Sequence, residues 1–377
     1  MTVNRVLVVG GGITGSVVAV ALARRGVQVD LVEIASRWFG VGHGITVQGN
    51  ALRALREIGV LDDVLADGVG FDTIRITDAD GTLVDTVTTP AMGGADLPPS
   101  MGTVRSALQE TLVKAVHDAG VSVLLGTTVT KVDDREDAAA VTLSDGSTAT
   151  YDLVIAADGI GSAMRGLMGI ETDPQQVGMG IWRIVTDRRP GMDCAELAYG
   201  GPRFKAGYAP ISDDKCYAYL LDEVFDPDAD GRSRAEVLRE RCAAYGGSWD
   251  HIRAGITEDT VIDYRIIESL LVTGPWHRGR MILIGDAAHA CPPLIAQGAA
   301  MCTEDAVVLA DMLTSPEAPS IALDELLTAF ADRRRPRVEM VVRNSMQLVD
   351  WETHPGTPGA DPAALMAESM AALQVPA

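Results

Sequence analysis

Three glycines near the amino terminus, Gly10, Gly12 and Gly15, have the spacing of a phosphate-binding turn. They lie between the apolar run Arg5–Val9 and a segment with helical periodicity. In such a turn the first glycine permits a tight bend, the second lets the backbone approach a pyrophosphate, and the third lets helix and strand pack closely. The positive end of a helix beginning near Ile13 then faces the pyrophosphate. The pattern predicts a dinucleotide site, with an ordinary glycine turn as the alternative.

An acidic residue follows at the distance that a ribose contact requires. Glu33 stands 18 residues after Gly15, at the end of a second apolar run. A carboxylate there can hold both ribose hydroxyls and disfavours a 2′-phosphate. We therefore expect the AMP moiety of FAD or NAD at this end of the site.

A second motif favours FAD. The buried run Arg280–Ile284 leads into Gly285 and Asp286. A carboxylate at this strand end can accept a hydrogen bond from a ribityl hydroxyl, which FAD has and NAD lacks. The segment starting at Gln297 then opens a helix whose amides can face the flavin pyrimidine edge and stabilise negative charge there.

The elements that must position these residues begin with a βαβ unit in the first 33 residues. Further helices are predicted over 50–66, 104–119, 233–244, 303–313 and 322–350, a hairpin over 73–89 around Asp80-Gly81, and strands over 121–133, 139–143 and 153–156. From about 176 to 268 the pattern becomes one of alternating strands.

We therefore expect an α/β protein. It has a Rossmann-like FAD-binding domain of the glutathione-reductase type, an inserted antiparallel β-sheet substrate domain and C-terminal helices. The predicted boundaries are 1–72, 100–175 and 275–312 for the FAD-binding domain, 73–99 and 176–274 for the substrate domain, and 313–377 for the helical region.

Three motifs occur in the order found in a family of flavin enzymes. The segment from Trp276 to Leu309 contains GRMILIGDAAHACPPLIAQGAAMCTEDAVVL, Tyr151–Gly159 reads YDLVIAADG with Arg165 after it, and Phe330–Arg337 reads FADRRRPR. These segments resemble the GD, DG and RRxPR motifs of the single-component FAD-dependent aromatic hydroxylases related to p-hydroxybenzoate hydroxylase. The resemblance runs from Val3 to about Asn344 and is nearest to the salicylate hydroxylase and 3-hydroxybenzoate 6-hydroxylase branch.

The resemblance assigns roles to further residues. Arg105 matches an arginine that contacts the cofactor, and Gly42–Ile45 matches a glycine-rich stretch beside the isoalloxazine. The sequence departs from the family at His43, where alanine is more common, and at Leu294–Ala296, which leaves open a substrate other than a simple hydroxybenzoate. The residues predicted to bind the cofactor are Gly10, Gly12, Ile13, Thr14, Gly15, Glu33, Arg37, Gly44, Ile45, Arg105, Asp158, Gly285, Asp286, Gln297, Gly298 and Ala299.

The activity that the resemblance implies is an FAD-dependent monooxygenase. NADH or NADPH reduces the bound FAD, O2 adds at the flavin C4a position, and the hydroperoxide transfers oxygen to a small aromatic ring. The ring is phenolic, hydroxybenzoate-like or N-heteroaromatic. The protein has to exclude water and to raise the electron density of the ring by deprotonating a phenol.

Candidate catalytic and substrate residues come from both halves of the chain. His43 can act as a base near the flavin edge or merely pack in its loop, and for His289 a structural hydrogen bond is expected rather than catalysis. Tyr217 and Tyr219 share one strand face, which either lines the pocket or packs on a sheet. The catalytic candidates are His43 and Tyr217, and the substrate-binding candidates are Tyr208, Tyr219, Arg183 and Pro293, with Arg203 as a further carboxylate binder.

Composition excludes several classes of partner. The net charge is −21, from 52 acidic and 31 basic residues, which argues against nucleic acid and anionic membranes. The five cysteines include no CxxC pair, so neither a disulfide framework nor a metal site is expected, and a reducing cytoplasm is the expected location. We interpret the acidic loop Asp226–Asp230 as solvated. The expected assembly is a monomer or homodimer.

Two other functions share the same cofactor motifs. One is a flavin oxidoreductase that inserts no oxygen, and the other is a non-catalytic FAD-binding protein. Both remain alternatives to the monooxygenase at this stage.

Overall fold

A computed structural model of the chain describes residues 3–38, 42–229 and 231–377, so Asp230 of the acidic loop lies outside the described residues. Within these ranges the strands are β1 (Arg5–Val9), β2 (Gln28–Glu33), β3 (Gly44–Gln48), β4 (Gly68–Phe71), β5 (Thr73–Thr77), β6 (Leu83–Thr88), β7 (Ser100–Val104), β8 (Ser122–Leu125), β9 (Val129–Asp134), β10 (Ala139–Leu143), β11 (Thr148–Tyr151), β12 (Leu153–Ala156), β13 (Gln175–Asp187), β14 (Ala195–Ala198), β15 (Lys205–Pro210), β16 (Lys215–Glu223), β17 (Asp263–Leu271), β18 (His277–Arg278), β19 (Met281–Leu283) and β20 (His289–Ala290). The helices in the same ranges are α1 (Ile13–Ala23), α2 (Gly49–Glu57), α3 (Leu61–Ala66), α4 (Arg105–Asp118), α5 (Ala163–Leu167), α6 (Arg234–Arg241), α7 (Ser248–Ala254), α8 (Gly298–Thr314), α9 (Leu323–Thr353) and α10 (Pro362–Leu373).

A six-stranded sheet of order β18-β19-β12-β1-β2-β8 carries the nucleotide motifs. Its strands are parallel except β18, which pairs antiparallel with β19. The central strands β1 and β12 are apolar and almost wholly buried, as expected for a parallel sheet covered on both faces. The predicted βαβ unit is confirmed as β1, α1 and β2.

A second sheet of eight strands has the order β20-β17-β13-β16-β15-β14-β5-β6. Neighbouring strands are antiparallel except β14 and β5. The two large sheets together with the helices after residue 313 confirm the predicted fold class. The domain boundaries stay a prediction.

A small sheet has the order β3-β7-β4 and packs against the eight-stranded sheet. Gly102 of β7 lies so close to β15 that a Cβ there would be 2.0 Å from the Pro210 carbonyl oxygen, and a Cβ on Gly44 of β3 would be 2.2 Å from the Tyr217 Cβ. These glycines therefore let the small sheet press directly on one face of the eight-stranded sheet.

Two predicted elements are each divided in the structure. The helix expected over 50–66 is α2 followed by α3, because Gly59 between them adopts φ +66, which ends the first helix. The strand expected over 121–133 is β8, in the parallel sheet, and β9, in a separate sheet, with Gly126 at φ +67 between them. The periodicity of apolar residues by itself did not predict that these two glycines interrupt the elements.

A buried ionic cluster joins α8 to α9. Arg334 is 0% exposed, and its guanidinium donates to Asp305 Oδ1 at 2.7 Å and to Glu304 Oε2 at 3.0 Å. The other Asp305 oxygen accepts from the Gly285 backbone N–H at 2.9 Å and lies 2.7 Å from His289 Nε2. One carboxylate thus connects two helices with the turn that carries Asp286.

The neighbouring acid, Glu304, extends this cluster to α2 and to the carboxyl terminus. It accepts from Asn50 Nδ2 at 3.1 Å and from Arg337 at 2.8 Å on each of its oxygens. Arg337 also donates to the Leu373 carbonyl at 3.0 Å. Bidentate pairing of this kind fixes orientation as well as distance.

Asp305 stays ionised at neutral pH. Burial by itself raises the pKa of Asp305, but His289 and Arg334 outweigh burial and lower that pKa to about 2. His289 is buried, and its ring is engaged by this carboxylate, as the structural interpretation of that histidine predicts.

Replacing Arg334 by methionine leaves Glu304 and Asp305 without their shared cation. Removing one partner of a buried ion pair costs about 3–5 kcal/mol, and we expect the free energy of unfolding, measured by urea denaturation, to fall by that amount. Arg343→Met is the control on the same helix, because its pair with Glu339 leaves 68% of the arginine side chain exposed. The control should lose less than about 1 kcal/mol; equal losses would contradict the role given to the cluster.

Candidate active site

The predicted cofactor residues meet at one edge of the six-stranded sheet. Gly10 follows β1 and Glu33 ends β2. Asp158 follows β12, and Asp286 follows β19. All four strands are parallel, so their carboxyl ends lie at the same edge, where open α/β sheets bind their ligands.

The glycine turn has the close approaches that its spacing predicts. Gly10 adopts φ +102, and a Cβ there would lie 2.4 Å from the Ala157 carbonyl oxygen. A Cβ on Gly15 would lie 1.8 Å from the Gly10 carbonyl oxygen. A Cβ on Gly12 would meet no atom within 4 Å, and α1 starts at the next residue with no acid in its first turn. Gly12 and the helix amides therefore border a space that accepts a pyrophosphate.

Glu33 supports the turn as well as facing the cofactor space. Its carboxylate accepts from the Gly11 N–H at 2.7 Å and from the Ala35 N–H at 2.8 Å. The Gly11 carbonyl accepts from Trp38 Nε1 at 2.5 Å and from Gln109 Nε2 at 2.9 Å. Trp38 and Gln109 were not predicted, because neither lies in a recognisable motif.

The glycine turn, Glu33 and the ends of the neighbouring strands surround a cavity of about 630 Å³, which we call the cofactor cavity. The predicted cofactor residues on its wall are Gly10, Gly12, Ile13, Thr14, Glu33, Ile45, Arg105, Asp158, Asp286, Gly298 and Ala299.

Two polar groups on this wall are not fully hydrogen-bonded within the described residues. Asp158 Oδ2 accepts from the Met164 N–H at 3.1 Å, but its buried Oδ1 has no hydrogen-bond partner. The guanidinium of Arg105 forms no hydrogen bond with any described residue. Unpaired buried polar atoms are costly, so they indicate groups that a ligand satisfies.

The turn at Gly285 holds its acid in the same cavity. Gly285 adopts φ +58, and a Cβ there would lie 2.5 Å from Thr14 Oγ1. Burial raises the pKa of Asp286, and the Cys302 thiol lies 3.4 Å from its Oδ1. The open space at Gly12, the ribose acid Glu33 and this acceptor therefore lie on the wall of one cavity, as the binding of FAD requires.

A second cavity of about 280 Å³, which we call the substrate cavity, adjoins the first. The residues that line both cavities are Ile45, Arg105, Cys291, Gly298 and Ala299. The two spaces therefore meet where the resemblance expects the isoalloxazine.

Strand alternation decides which side chains enter the substrate cavity. Tyr217, Tyr219 and Leu221 of β16 line it, whereas Cys216 and Ala218 point to the opposite face. The two tyrosine rings lie 5.3 Å apart. The structure therefore supports the alternative in which the face that carries Tyr217 and Tyr219 lines the pocket.

The same alternation removes Tyr208 from the cavity. Lys205 and Ala209 of β15 line the cavity, and Tyr208 packs in the core on the other face, 3.3 Å from Glu196 Oε2. Arg203 is likewise elsewhere, paired with Asp222 at 3.4 Å. A substrate role predicted for Tyr208 or Arg203 has no support in this geometry, because sequence alone did not fix which face of the sheet is covered.

His43 lines the substrate cavity as a neutral imidazole. Burial lowers its pKa, and Arg183 lowers it further. Nδ1 lies 2.9 Å from the Gly44 carbonyl oxygen and must donate to it, since a carbonyl only accepts. This leaves Nε2 as an acceptor, and the ring lies 6.4 Å from that of Tyr217.

Arg183 also lines this cavity, held by an acid that was not predicted. Its guanidinium pairs with Asp263 at 2.7 Å, and Nε donates to the same carboxylate at 2.9 Å. Burial raises the pKa of Tyr217 to about 12, with Arg183 opposing. Tyr217 is therefore a hydrogen-bond donor at neutral pH rather than a base.

The other predicted residues divide into lining and supporting groups. Gly44 and Pro293 line the substrate cavity. Arg37 is exposed and lines neither cavity, and Gln297 is buried with its oxygen 3.1 Å from Asn50 Nδ2. Gly15 and Gly285 shape their turns without lining the cofactor cavity.

Several lining residues were not predicted. Lys205 lies in KAGYAP, a strand so uniformly buried that no polar alternation marks its inner face. Met366 and Met370 of α10 lie four residues apart, one helical turn, and both face the cavity. That spacing was the available signal, but nothing in the sequence indicated that the carboxyl-terminal helix returns to this cavity.

Gly12→Val tests the cofactor cavity with little effect on folding. The added side chain enters open space at an ordinary φ of −70, so it should displace the pyrophosphate rather than strain the backbone. We expect the variant to be purified folded but without yellow colour, measured as flavin absorbance per protein. Gly274→Val, at another glycine with no atom near its Cβ, should keep its flavin. Full flavin absorbance in Gly12→Val would contradict the assignment.

None of the helices in the described ranges is both long and apolar enough to cross a membrane.

A family model described as an FAD binding domain matches residues 4–345. The chain is 32% identical to the 2-heptyl-3-hydroxy-4(1H)-quinolone synthase of Pseudomonas aeruginosa, over 92% of this chain and 90% of that protein. It is 28% identical to the 3-amino-4-hydroxybenzoate 2-monooxygenase of Streptomyces cremeus, over 92% and 87% respectively.

A solved structure has the same fold over nearly the whole chain. The tetrameric form of 2-methyl-3-hydroxypyridine-5-carboxylic acid oxygenase superposes with a TM-score of 0.80 at 26% identity, covering 98% of this chain and 96% of that one. The family match confirms FAD as the cofactor, and relatives named as monooxygenases favour that activity over the two alternatives. The chain therefore belongs to the FAD-dependent monooxygenases of the aromatic hydroxylase family.

Proposed function

We propose that this enzyme uses NADH or NADPH and O2 to hydroxylate a small phenolic or N-heteroaromatic ring. The observation that carries the proposal is the junction of the two cavities, which share five lining residues and carry His43, Arg183 and Tyr217 beside that junction. By their names, one relative forms a 3-hydroxy-4(1H)-quinolone, and the other two proteins act on an aminohydroxybenzoate and a hydroxypyridine carboxylic acid. A hydroxyl group on an aromatic or N-heteroaromatic ring occurs in all three names.

FAD, when bound, supplies the transfer of electrons from NAD(P)H to O2 and the activation of oxygen for attack on the ring. The residues that would hold it are those on the wall of the cofactor cavity. The chain itself has to bind the ring, remove its hydroxyl proton and keep water away.

His43 is the proposed proton acceptor. Its Nε2 has no partner among the described residues, and its lowered pKa keeps it neutral at physiological pH. A ring hydroxyl that donates to Nε2 gains electron density as its proton moves to the imidazole. Activity through this base should persist below the usual imidazole pKa and fall only as pH drops through the lowered value.

Arg183 and Tyr217 are the proposed partners of the resulting oxyanion. The guanidinium is fixed by Asp263, so it offers its charge without needing to reorganise. Tyr217 keeps its proton and can donate it in a hydrogen bond. Apolar side chains such as Ile181, Leu221 and Leu294 complete the wall and exclude water.

Oxygen uptake by the purified holoenzyme tests the whole proposal. With NADH or NADPH and a panel of phenols, hydroxypyridines and hydroxyquinolines, we expect at least one compound to stimulate consumption and to yield hydroxylated product in equal amount. Peroxide as the sole product across the panel, or no stimulation by any compound, would contradict hydroxylation.

Tyr217→Phe tests the oxyanion assignment separately. Losing a hydrogen bond to a charged group costs about 1.5–3 kcal/mol, which corresponds to a fall of roughly tenfold or more in kcat/KM. FAD content should not change. Tyr208→Phe is the matched control, because that tyrosine is buried on the opposite sheet face. Unchanged turnover in Tyr217→Phe, or equal losses in both variants, would remove Tyr217 from the mechanism.

A further inference from the structure

A buried ion pair has its lysine on the wall of the substrate cavity and its carboxylate behind that lysine. Lys205 lines this cavity although it is 5% exposed, and its Nζ lies 2.5 Å from Glu352 Oε1. The Glu352 side chain is 13% exposed and belongs to the last turn of α9. The ammonium also lies 5.7 Å from the centre of the Tyr199 ring, within range of a cation–π contact.

The strand register places this pair far from the flavin junction. Ala209 pairs with Tyr217 in β15 and β16, Gly207 pairs with Tyr219, and Lys205 pairs with Leu221. Tyr217 packs against Gly44 at the flavin end. Lys205 is therefore four residues farther along the sheet, about 13 Å at the rise of a strand. A single hydroxylated ring at the junction does not reach it, and a longer substrate does.

The family match does not extend to the other residues of this end. It stops at residue 345, whereas Glu352, Met366 and Met370 come after it. The wall around Lys205 is thus built partly from a segment that lies outside the FAD-binding family model. Such a segment sets what the far end of the cavity accepts.

The charge of Lys205 is already balanced. Bringing a carboxylate to the pair would add an uncompensated negative charge in a buried place, which is unfavourable. A neutral carbonyl can accept from the ammonium without that cost. Glu352 Oε2 is buried and has no hydrogen-bond partner among the described residues, so a ligand N–H is the donor that would satisfy it. A carboxamide or lactam offers both groups.

We propose that Lys205 and Glu352 form a specificity site that selects substrates with a carboxamide or lactam at the end remote from the flavin and rejects a carboxylate there. The inference rests on the proposed function, since it concerns the substrate of the same cavity. It adds Lys205 and Glu352 to the residues that bind the substrate, and it specifies the length of the substrate and the group at its far end.

Binding to the holoenzyme, followed by perturbation of the flavin spectrum without NAD(P)H, tests this site. The matched probes are 4′-hydroxybiphenyl-4-carboxylic acid and its primary amide, which carry a phenol at one end and differ only in the group at the other end. We expect the wild type to bind the amide at least about tenfold more tightly than the acid. Glu352→Gln frees the ammonium charge and should shift this preference toward the acid by about tenfold.

Glu339→Gln is the control, because Glu339 lies on the same helix and pairs with the exposed Arg343. It should keep the wild-type preference. Should Glu352→Gln fail to fold, the double variant K205M/E352M replaces the pair by apolar side chains, which buried pairs commonly tolerate. It should keep its flavin and bind both probes equally.

A wild type that prefers the acid or binds neither probe would overturn the proposal, as would a preference that Glu352→Gln or the double variant leaves unchanged. Because binding is measured without turnover, it is independent of hydroxylation. If the amide binds as expected but no aromatic compound is hydroxylated, the proposed function fails and this site stands. If other rings are hydroxylated while the probes show no preference, only this site fails.

Discussion

The carboxylate of Asp305 is the contact on which the geometry of the site depends. It binds the backbone of Gly285, the imidazole of His289 and the guanidinium of Arg334, so one buried group in α8 aligns that helix with the Asp286 turn and with the long helix α9. The cost of burying this charge is offset because Arg334 and His289 approach it directly. Gly298 and Ala299, at the start of α8, line both cavities and therefore take their positions from this contact.

The substrate cavity depends on a different constraint, the alternation of side chains across the eight-stranded sheet. One face of β15 and β16 carries Lys205, Tyr217 and Tyr219 to the cavity, and the other buries Tyr208 in a separate core. The small sheet containing Gly44 covers the first face. Contact between that sheet and Tyr217 is what makes the face a pocket rather than a surface.

Charge within the substrate cavity is mostly balanced, despite a net charge of −21 for the whole chain. Arg183 is paired with Asp263 and Lys205 with Glu352. Arg105, at the junction of the two cavities, has no acid within ion-pair distance among the described residues. The site therefore offers mainly hydrogen-bonding groups, together with the cation of Arg105 on the wall that the two cavities share.

The sequence by itself determined the nucleotide half of the protein. Gly10, Gly12, Gly15, Glu33 and Asp286 lie at the carboxyl ends of parallel strands, and the local constraints at such strand ends leave recognisable motifs in the chain. The substrate half was decided by tertiary structure. Lys205, Asp263 and Glu352 are distant in sequence and carry no motif, and Tyr208 and Tyr217 look alike until one knows which face of the sheet is covered. Long-range packing makes that choice, because alternation along a strand specifies two faces but not which of them becomes the pocket.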